Sequence, residues 1–435
     1  MTASRARCAL PGTPLANAAA GLDACVHCGF CLQACPTYVN LEDENDSPRG
    51  RLVLMRRLLD GDLALDDPDV GQHMDRCLGC RACETACPSG VPYGELLEAT
   101  RATMAPARGT PAVARLVLWL FAHRSLLRLA LVGARVLRAS QLPRLLARVL
   151  PDRLAFPCAM LACTAPSPLA RASMAGTAAS AIASSSAPPT ARESVTLLEG
   201  CVMRGLLGHV NAATERVLRA NDYTLVVATE QHCCGALHAH AGDLEGARAL
   251  ARKNIEAFEQ TSPALIAINS AGCGAMIKQY GHLLHDDAVW SARAARVSER
   301  ARDVSELLAV AGPRRGNALA LRVTHDPPCH QMHAQRVVKQ PLAVLNAIPG
   351  LELVPLEDAD QCCGSAGIYN LVEPDTSDAV LAPKLERIAE TGASFVATGN
   401  PGCMMQIGAG LLRSQSRARV IHPIELLDAS YRAPQ

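Results

Sequence analysis

The chain has 435 residues, 49% of them apolar, enough for two or three domains with cores of their own. Its formal net charge is +1 and aromatic residues make up 3%, which argues against nucleic-acid binding through bulk charge or base stacking. Of the 19 cysteines, 16 fall in metal-ligand spacings, two adjacent Cys-Cys pairs among them, a pattern expected of a reducing cytoplasm rather than of a secreted disulfide framework.

At the N-terminus, Arg5 and Arg7 precede an Ala-rich stretch that Pro11, Gly12 and Pro14 interrupt, so no cleaved signal is expected. Nor is a membrane-spanning helix expected, because no uncharged apolar run reaches about 18 residues. Residues 21–100 carry one cysteine pattern twice, Cys25-x2-Cys28-x2-Cys31-x3-Cys35-Pro36 and Cys77-x2-Cys80-x2-Cys83-x3-Cys87-Pro88. This spacing holds a [4Fe–4S] cubane: three close thiolates wrap one cluster and the fourth reaches across to the other. Cys25, Cys28, Cys31 and Cys87 are therefore assigned to cluster 1, and Cys77, Cys80, Cys83 and Cys35 to cluster 2. Zinc would need two pairs of thiolates per site, and would not require the third C-x2 step and the x3-C-P ending in both copies. Between the motifs, Ser47 as N-cap and Pro48 at the first helical position begin a helix over the Leu52–Leu59 region, favouring an α-helical ferredoxin.

Residues 101–154 hold ten arginines against one acid, Asp152, interleaved with Leu116–Phe121 and Leu126–Val132. One or two basic amphipathic helices are expected here, serving either as peripheral contacts to an anionic membrane or a partner, or as a connector whose apolar stripe packs on this chain's own domains. Residues 155–193, with their Ala/Ser run and Pro188-Pro189, read as a flexible linker. Cys8, Cys158 and Cys163 have no matching ligand set.

The C-terminal half is itself duplicated, over 194–312 and 318–430. Cys201, Cys233-Cys234-Gly235 and Cys273 recur as Cys329, Cys362-Cys363-Gly364 and Cys403, in near-constant register. Each site follows a short β-branched or apolar run: 195–198, 225–227, 265–268, 321–323, 351–354 and 395–397. Helical stretches at 205–220, 243–260, 332–347 and 377–391 alternate with them. Strand, cysteine loop and helix in alternation predict a parallel α/β sheet with the cysteines outside the carboxyl ends of its strands. The eight cysteines could hold a further iron–sulfur centre, perform thiol–disulfide chemistry, or be structural; a vicinal pair makes a strained disulfide.

The order of parts resembles the iron–sulfur subunit of bacterial glycolate oxidase (glycolate dehydrogenase), over about residues 22–428. The carrying segments include Ala24-Cys-Val-His-Cys-Gly-Phe-Cys31, Pro48-Arg-Gly-Arg51, Cys83-Glu-Thr-Ala-Cys-Pro-Ser-Gly-Val91, Leu198-Glu-Gly-Cys201, Ser270-Ala-Gly-Cys-Gly-Ala275 and Cys362-Cys-Gly-Ser-Ala-Gly367. The duplicated half is similar to the "CCG" cysteine-rich domains of heterodisulfide reductases, lactate-utilisation proteins and the small subunit of anaerobic glycerol-3-phosphate dehydrogenase. The resemblance implies an α+β multidomain chain, with an N-terminal α-helical ferredoxin followed by a tandem α/β CCG domain. It also implies a complex in which flavin-containing subunits oxidise glycolate and this chain relays electrons to a membrane quinone acceptor, at the inner face of the cytoplasmic membrane. The alternatives are the equivalent subunit of a lactate or glycerol-3-phosphate dehydrogenase complex, and a thiol–disulfide reductase. Relatives with fused non-cubane clusters end each repeat in C-x-x-C; here Ser270 and Asn400 occupy the partner positions, leaving four cysteines per copy.

No G-x-G-x-x-G follows an expected strand, so no flavin or nicotinamide site is expected in this chain, and no catalytic residue is assigned. Arg49, Arg51 and Arg81 lie beside the cubane motifs, where cationic groups raise the potential of an anionic cluster or simply serve as surface charges. His27 is expected to face outward, and His232, His325 and His330 flank the cysteine loops.

Overall fold

The computed structural model describes residues 8–175 and 192–432. By contact grouping the chain forms two units. The first joins the chain up to Trp119 with 236–247 and 364–380; the second holds the remainder.

Residues 8–119 of the first unit contain no strand among the described residues, in keeping with the helical ferredoxin expected. Helix Pro48–Asp60 starts as its sequence dictates: Ser47 accepts from the Gly50 amide, Pro48 occupies the first turn and Gly61 ends it at φ 79. Its buried face (Leu52, Met55, Leu58, Leu59) packs with Leu15, Met74 and, from helix Tyr93–Arg108, Leu96, Leu97 and Met104. Gly50 is required by close approach, since a Cβ there would lie 1.9 Å from the Glu44 carbonyl oxygen. The segments that follow each Cys-Cys pair dock on this unit: Arg101 donates to the His240 carbonyl at 2.7 Å, and Tyr369 Oη to the Arg76 carbonyl at 2.8 Å.

The second unit carries two four-stranded sheets. The strands are β1 (Ser194–Leu197), β2 (Thr224–Val226), β3 (Leu265–Ile268), β4 (Ala301–Asp303), β5 (Leu321–His325), β6 (Leu351–Val354), β7 (Phe395–Ala397) and β8 (Arg419–Ile421). Their orders, β2-β1-β3-β4 and β6-β5-β7-β8, are the same permutation, and every pairing is parallel. The six expected strands are present within two residues; β4 and β8 were not foreseen. One core spans both copies, from Val195 and Val210 to Val323 and Ile421. Helix Gly208–Ala220 packs on Pro423–Arg432 as Lys339–Asn346 packs on Val304–Ala311, so the duplicated halves meet through equivalent helices. The expected 205–220 helix is two, Cys201–Leu206 and Gly208–Ala220, and the expected 332–347 helix is a π-turn His330–Ala334 followed by Lys339–Asn346.

Residues 101–154 form more helix than expected: Ala112–Ala122, Arg124–Ala139 and Leu142–Val149 follow the end of Tyr93–Arg108. In the second unit, Arg124–Ala139 packs on Cys201–Leu206, where Gly205 leaves room for Leu131. It also leaves Leu129, Val132 and Val136 exposed, so one stripe packs inward and another does not. The linker expected at 155–193 is helical over its first part. Helix Asp152–Cys163 buries Phe156 and Ala159 against Leu381, Cys403 and Ile407, because its alanines admit close packing on helix Pro401–Arg413. Residues 176–191 of that stretch lie outside the described residues. No single helix among the described residues is long and apolar enough to cross a membrane.

Candidate functional site

Cys25, Cys28, Cys31 and Cys87 line one cavity, together with Arg49, Cys83 and Tyr93. Cys87, from the second motif, thus lies with three thiols of the first. On the other side, Cys83 is pushed up by burial and then by Cys80, Cys77 and Cys35, so Cys35 lies near the second motif as well as the first. Cys35 Sγ is 3.2 Å from Thr37 Oγ1, and Cys77 Sγ accepts from Gly79 N at 3.5 Å and Tyr93 Oη at 3.6 Å. Cys31 is raised to about 11, chiefly by burial, with Cys25 and Cys35 adding and the Arg49 amide opposing. Thiols gathered this closely resist ionisation as bare side chains and lose their protons together when metal binds. Two sets of four soft, convergent donors fit two cubanes.

The sets differ in access. Cys28 is exposed, and Val26 and Phe30 beside it are each 67% exposed; Cys35, Cys77, Cys80 and Cys83 are buried. His27 faces solvent at φ 53, as expected. Of the three flanking arginines, Arg49 pairs with Glu44 and Arg81 with Glu84. Arg51 is fully buried, donating to Asp46 Oδ1 at 3.0 Å, Thr37 Oγ1 at 3.1 Å and the His73 carbonyl at 2.6 Å. Burial opposes its charge, but Cys77, Tyr93, Cys35 and Asp46 hold it above the ordinary guanidinium range. The second cluster set therefore has a fixed cation beside it. A cavity of about 640 Å³ borders Cys77, with Leu78, Met104, Ile368 and Tyr369 in its walls.

In the duplicated half the cysteines stand at the carboxyl ends of the strands. In the first copy Cys201 Sγ lies 3.7 Å from Cys233 Sγ, and Cys234 hydrogen-bonds both Cys233 and Cys273. Cys234 is raised by its hydrogen bonds with Cys233 and Cys273 and by burial, whereas the hydrogen bond with Cys234 lowers Cys273. A neutral cage surrounds them: Asn254 accepts from the His232 amide and donates to the Cys233 carbonyl, while Tyr280 donates to the Cys234 carbonyl. In the second copy Cys363 hydrogen-bonds Cys362 and Cys403, and Asn400 Nδ2 donates to Cys403 Sγ at 3.4 Å. Cys329 Sγ lies 3.9 Å from His330 Nδ1. Gly364, at φ 84, must be glycine because a Cβ would meet the Ser377 carbonyl oxygen at 2.6 Å. Asn400 also links the copies, its Oδ1 accepting from Gly272 N at 3.2 Å.

Sequence reasoning missed Lys384, Asp326 and Asn254, which pack against the cysteine loops; none has a local motif, and only the matching offsets of the repeats could have drawn attention to them. His325 is buried, and burial lowers it to about 4; His232 is lowered by burial and by Lys253. Cys8 is exposed, and Cys158 and Cys163 lie on helix Asp152–Cys163.

A helical unit with two interlocked four-cysteine sets, joined to a duplicated α/β unit bearing two more, defines an iron–sulfur electron-transfer protein. Residues 21–91 match the 4Fe-4S dicluster domain family, and 195–278 and 323–408 match the CCG cysteine-rich domain family. The chain is 36% identical over 420 residues to the probable glycolate oxidase iron-sulfur subunit of Bacillus subtilis, covering 93% of this chain and 92% of that one. It is 34% identical over 418 residues to the glycolate oxidase iron-sulfur subunit of Escherichia coli, covering 94% and 93%. Lactate utilization protein A of Geobacillus kaustophilus is 29% identical over 237 residues, covering 54% of this chain and 98% of its own. The chain belongs to the glycolate oxidase iron–sulfur subunit family.

Proposed function

We propose that this chain is the electron-relay subunit of a membrane-associated glycolate dehydrogenase, with flavin-containing partner subunits oxidising glycolate to glyoxylate. The observation that carries this reading is the interlocking of the two thiol sets. Cys83 lines the cavity of the first set and Cys31 is influenced by Cys35, so two centres would stand side by side, one open to solvent and one buried. In the ligand assignment proposed, Cys25, Cys28, Cys31 and Cys87 hold one cubane and Cys77, Cys80, Cys83 and Cys35 the other. Each cubane, when bound, takes up and gives back one electron at a time.

The chain's own residues supply the direction. Exposed Val26 and Phe30 offer an apolar rim beside Cys28 for the electron-donating partner. Around the second set, Arg51 favours the added negative charge and draws electrons inward. Glycolate oxidation releases two electrons and two protons on the partner, so the relay passes two electrons in succession. The cavity bordering Cys77 has the size of a small-ligand site and would seat a quinone ring against the buried centre.

The test is anaerobic addition of glycolate to the purified complex, followed by electron paramagnetic resonance. Reduced cubane signals that appear with glycolate support the reading; signals that appear with lactate or glycerol 3-phosphate but not glycolate reassign the donor. A second reading, thiol–disulfide reduction, is favoured by the 3.7 Å approach of Cys201 and Cys233. It predicts that the isolated chain reduces a disulfide substrate with no flavoprotein present.

A further inference from the structure

A second cavity, of about 480 Å³, lies within the α/β unit between helices Arg124–Ala139 and Asp152–Cys163, the end of Pro401–Arg413 and β8. Five arginines line it, Arg138, Arg144, Arg171, Arg417 and Arg419, and among the described residues no carboxylate does. The nearby Asp152 is turned to Arg413 instead. Arg138 is anchored, its Nη1 donating at 2.8 Å to the carbonyls of Thr164 and Leu206 and to Thr164 Oγ1. The floor is Cys163, which abuts Gly408 so closely that a Cβ there would lie 2.9 Å from the cysteine Cβ. Arg144 and Arg419 line the same cavity as that thiol, close enough for their charges to act on it.

Five guanidinium groups around one concave volume repel one another unless an anion lies among them. Their planar forks match the oxygens of a phosphate group, which can take two donors from each. The rim identifies the source of that phosphate. Helix Leu142–Val149 exposes Leu142, Leu145 and Val149, at 42%, 57% and 65%, and the preceding helix exposes Val136 and Leu137. Apolar side chains beside clustered arginines are the arrangement of a surface seated at the headgroup level of an anionic bilayer.

We propose that this pocket binds the phosphate headgroup of an anionic phospholipid, the exposed leucines and valines meeting the acyl chains around it. The inference rests on the membrane-acceptor reading above and gives that reading a lipid contact on this chain.

The test is vesicle flotation of the full-length, cluster-loaded chain. Phosphatidylcholine vesicles containing phosphatidylglycerol are compared with phosphatidylcholine alone. Wild type should float with the anionic vesicles and not with the neutral ones. R144Q/R417Q/R419Q, all at exposed positions, should bind on the order of a hundredfold more weakly, about fivefold per arginine. R57Q/R219Q/R336Q, with the same change in net charge outside the pocket, should retain binding. Equal losses in the two triple variants, or no flotation of wild type, would overturn the proposal. So would a melting temperature raised by inorganic phosphate with no flotation on either vesicle, since the site would then serve a soluble anion. Cubane reduction by dithionite in detergent-free solution, followed in every variant, confirms that the chain is folded and loaded. If glycolate fails to reduce the cubanes in the complex, the relay reading fails; a flotation failure alone removes only the lipid site.

Discussion

Lys384 donates from Nζ to Asp326 Oδ1 at 2.8 Å, with both side chains 3% exposed, and the pair stands beside Cys362 and Cys363. Burial opposes the charge on Lys384, but Asp326 and the two cysteines outweigh it and hold the amine above its ordinary range. In the first copy the equivalent positions are Asn254 and Leu198, both uncharged. The two duplicated cysteine sites therefore have the same backbone and different electrostatics.

Removing one partner of this pair should be much worse than removing both. K384M leaves a buried carboxylate unpaired and should cost about 3–5 kcal/mol, whereas K384M/D326L, which restores the first copy's apolar choice at 326, should recover most of it. Urea unfolding of the two variants checks this. A double variant no more stable than the single would show that the carboxylate finds other compensation.

Arg51 should act on both stability and potential. R51Q takes a buried cation from Asp46 and should destabilise the chain by about 3 kcal/mol. It should also make the second cubane harder to reduce, by ~60 mV if the lost interaction is about 1.4 kcal/mol. Arg49, part-exposed and paired with Glu44, should leave the melting midpoint nearly unchanged when replaced. A redox titration monitored by electron paramagnetic resonance, showing R51Q and wild type at the same potential, would refute the tuning role.

The proposed cross-over of ligands makes a specific prediction. C35S should impair the centre of the second motif, although Cys35 lies in the first motif, and C87S should do the reverse. Spectra of the two variants should therefore lose opposite components. If each lost the component of its own motif, the assignment of Cys35 and Cys87 would have to be exchanged.

Acid sensitivity follows from buried neutral histidines. Burial lowers His209, His325 and His422 to about 4 from an ordinary 6.5. The unfolded chain then binds protons that the folded chain refuses, so their contribution to stability is whole above pH 6.5 and is lost as pH falls toward 4. Glu425 has the opposite sign: burial raises it from 4.5 to about 7, so its contribution is whole below pH 4.5 and is lost as pH rises through 7. H325L should flatten the acid limb of a stability–pH curve, and E425Q, which keeps the acceptor for the His422 amide, should stabilise the chain at pH 8. An E425Q curve superimposable on wild type at pH 8 would contradict the buried-carboxyl account.

Much of this molecule was legible without coordinates. The expected strands at 265–268, 351–354 and 395–397 coincide with β3, β6 and β7, because short β-branched and apolar runs bounded by turn and polar residues favour extended pairing. β4 and β8 escaped notice because Ala301-Arg302-Asp303 and Arg419-Val420-Ile421 are edge strands of three residues, too short and too charged to carry a period. Helix Asp152–Cys163 escaped because small residues read as linker composition when nothing shows the helix they pack against.

By itself the sequence determined the two cysteine motifs and their duplication within one chain, the parallel repeats, and which residues carry thiols. Spacing along a backbone limits what neighbouring side chains can ligate, and that information is local. The tertiary structure alone decided which charges surround those thiols. Arg51, Lys384, Asp326 and the arginine-lined cavity come together from positions far apart in the chain, where no local pattern marks them. Their effect depends on burial and distance, quantities that exist only once the chain has folded.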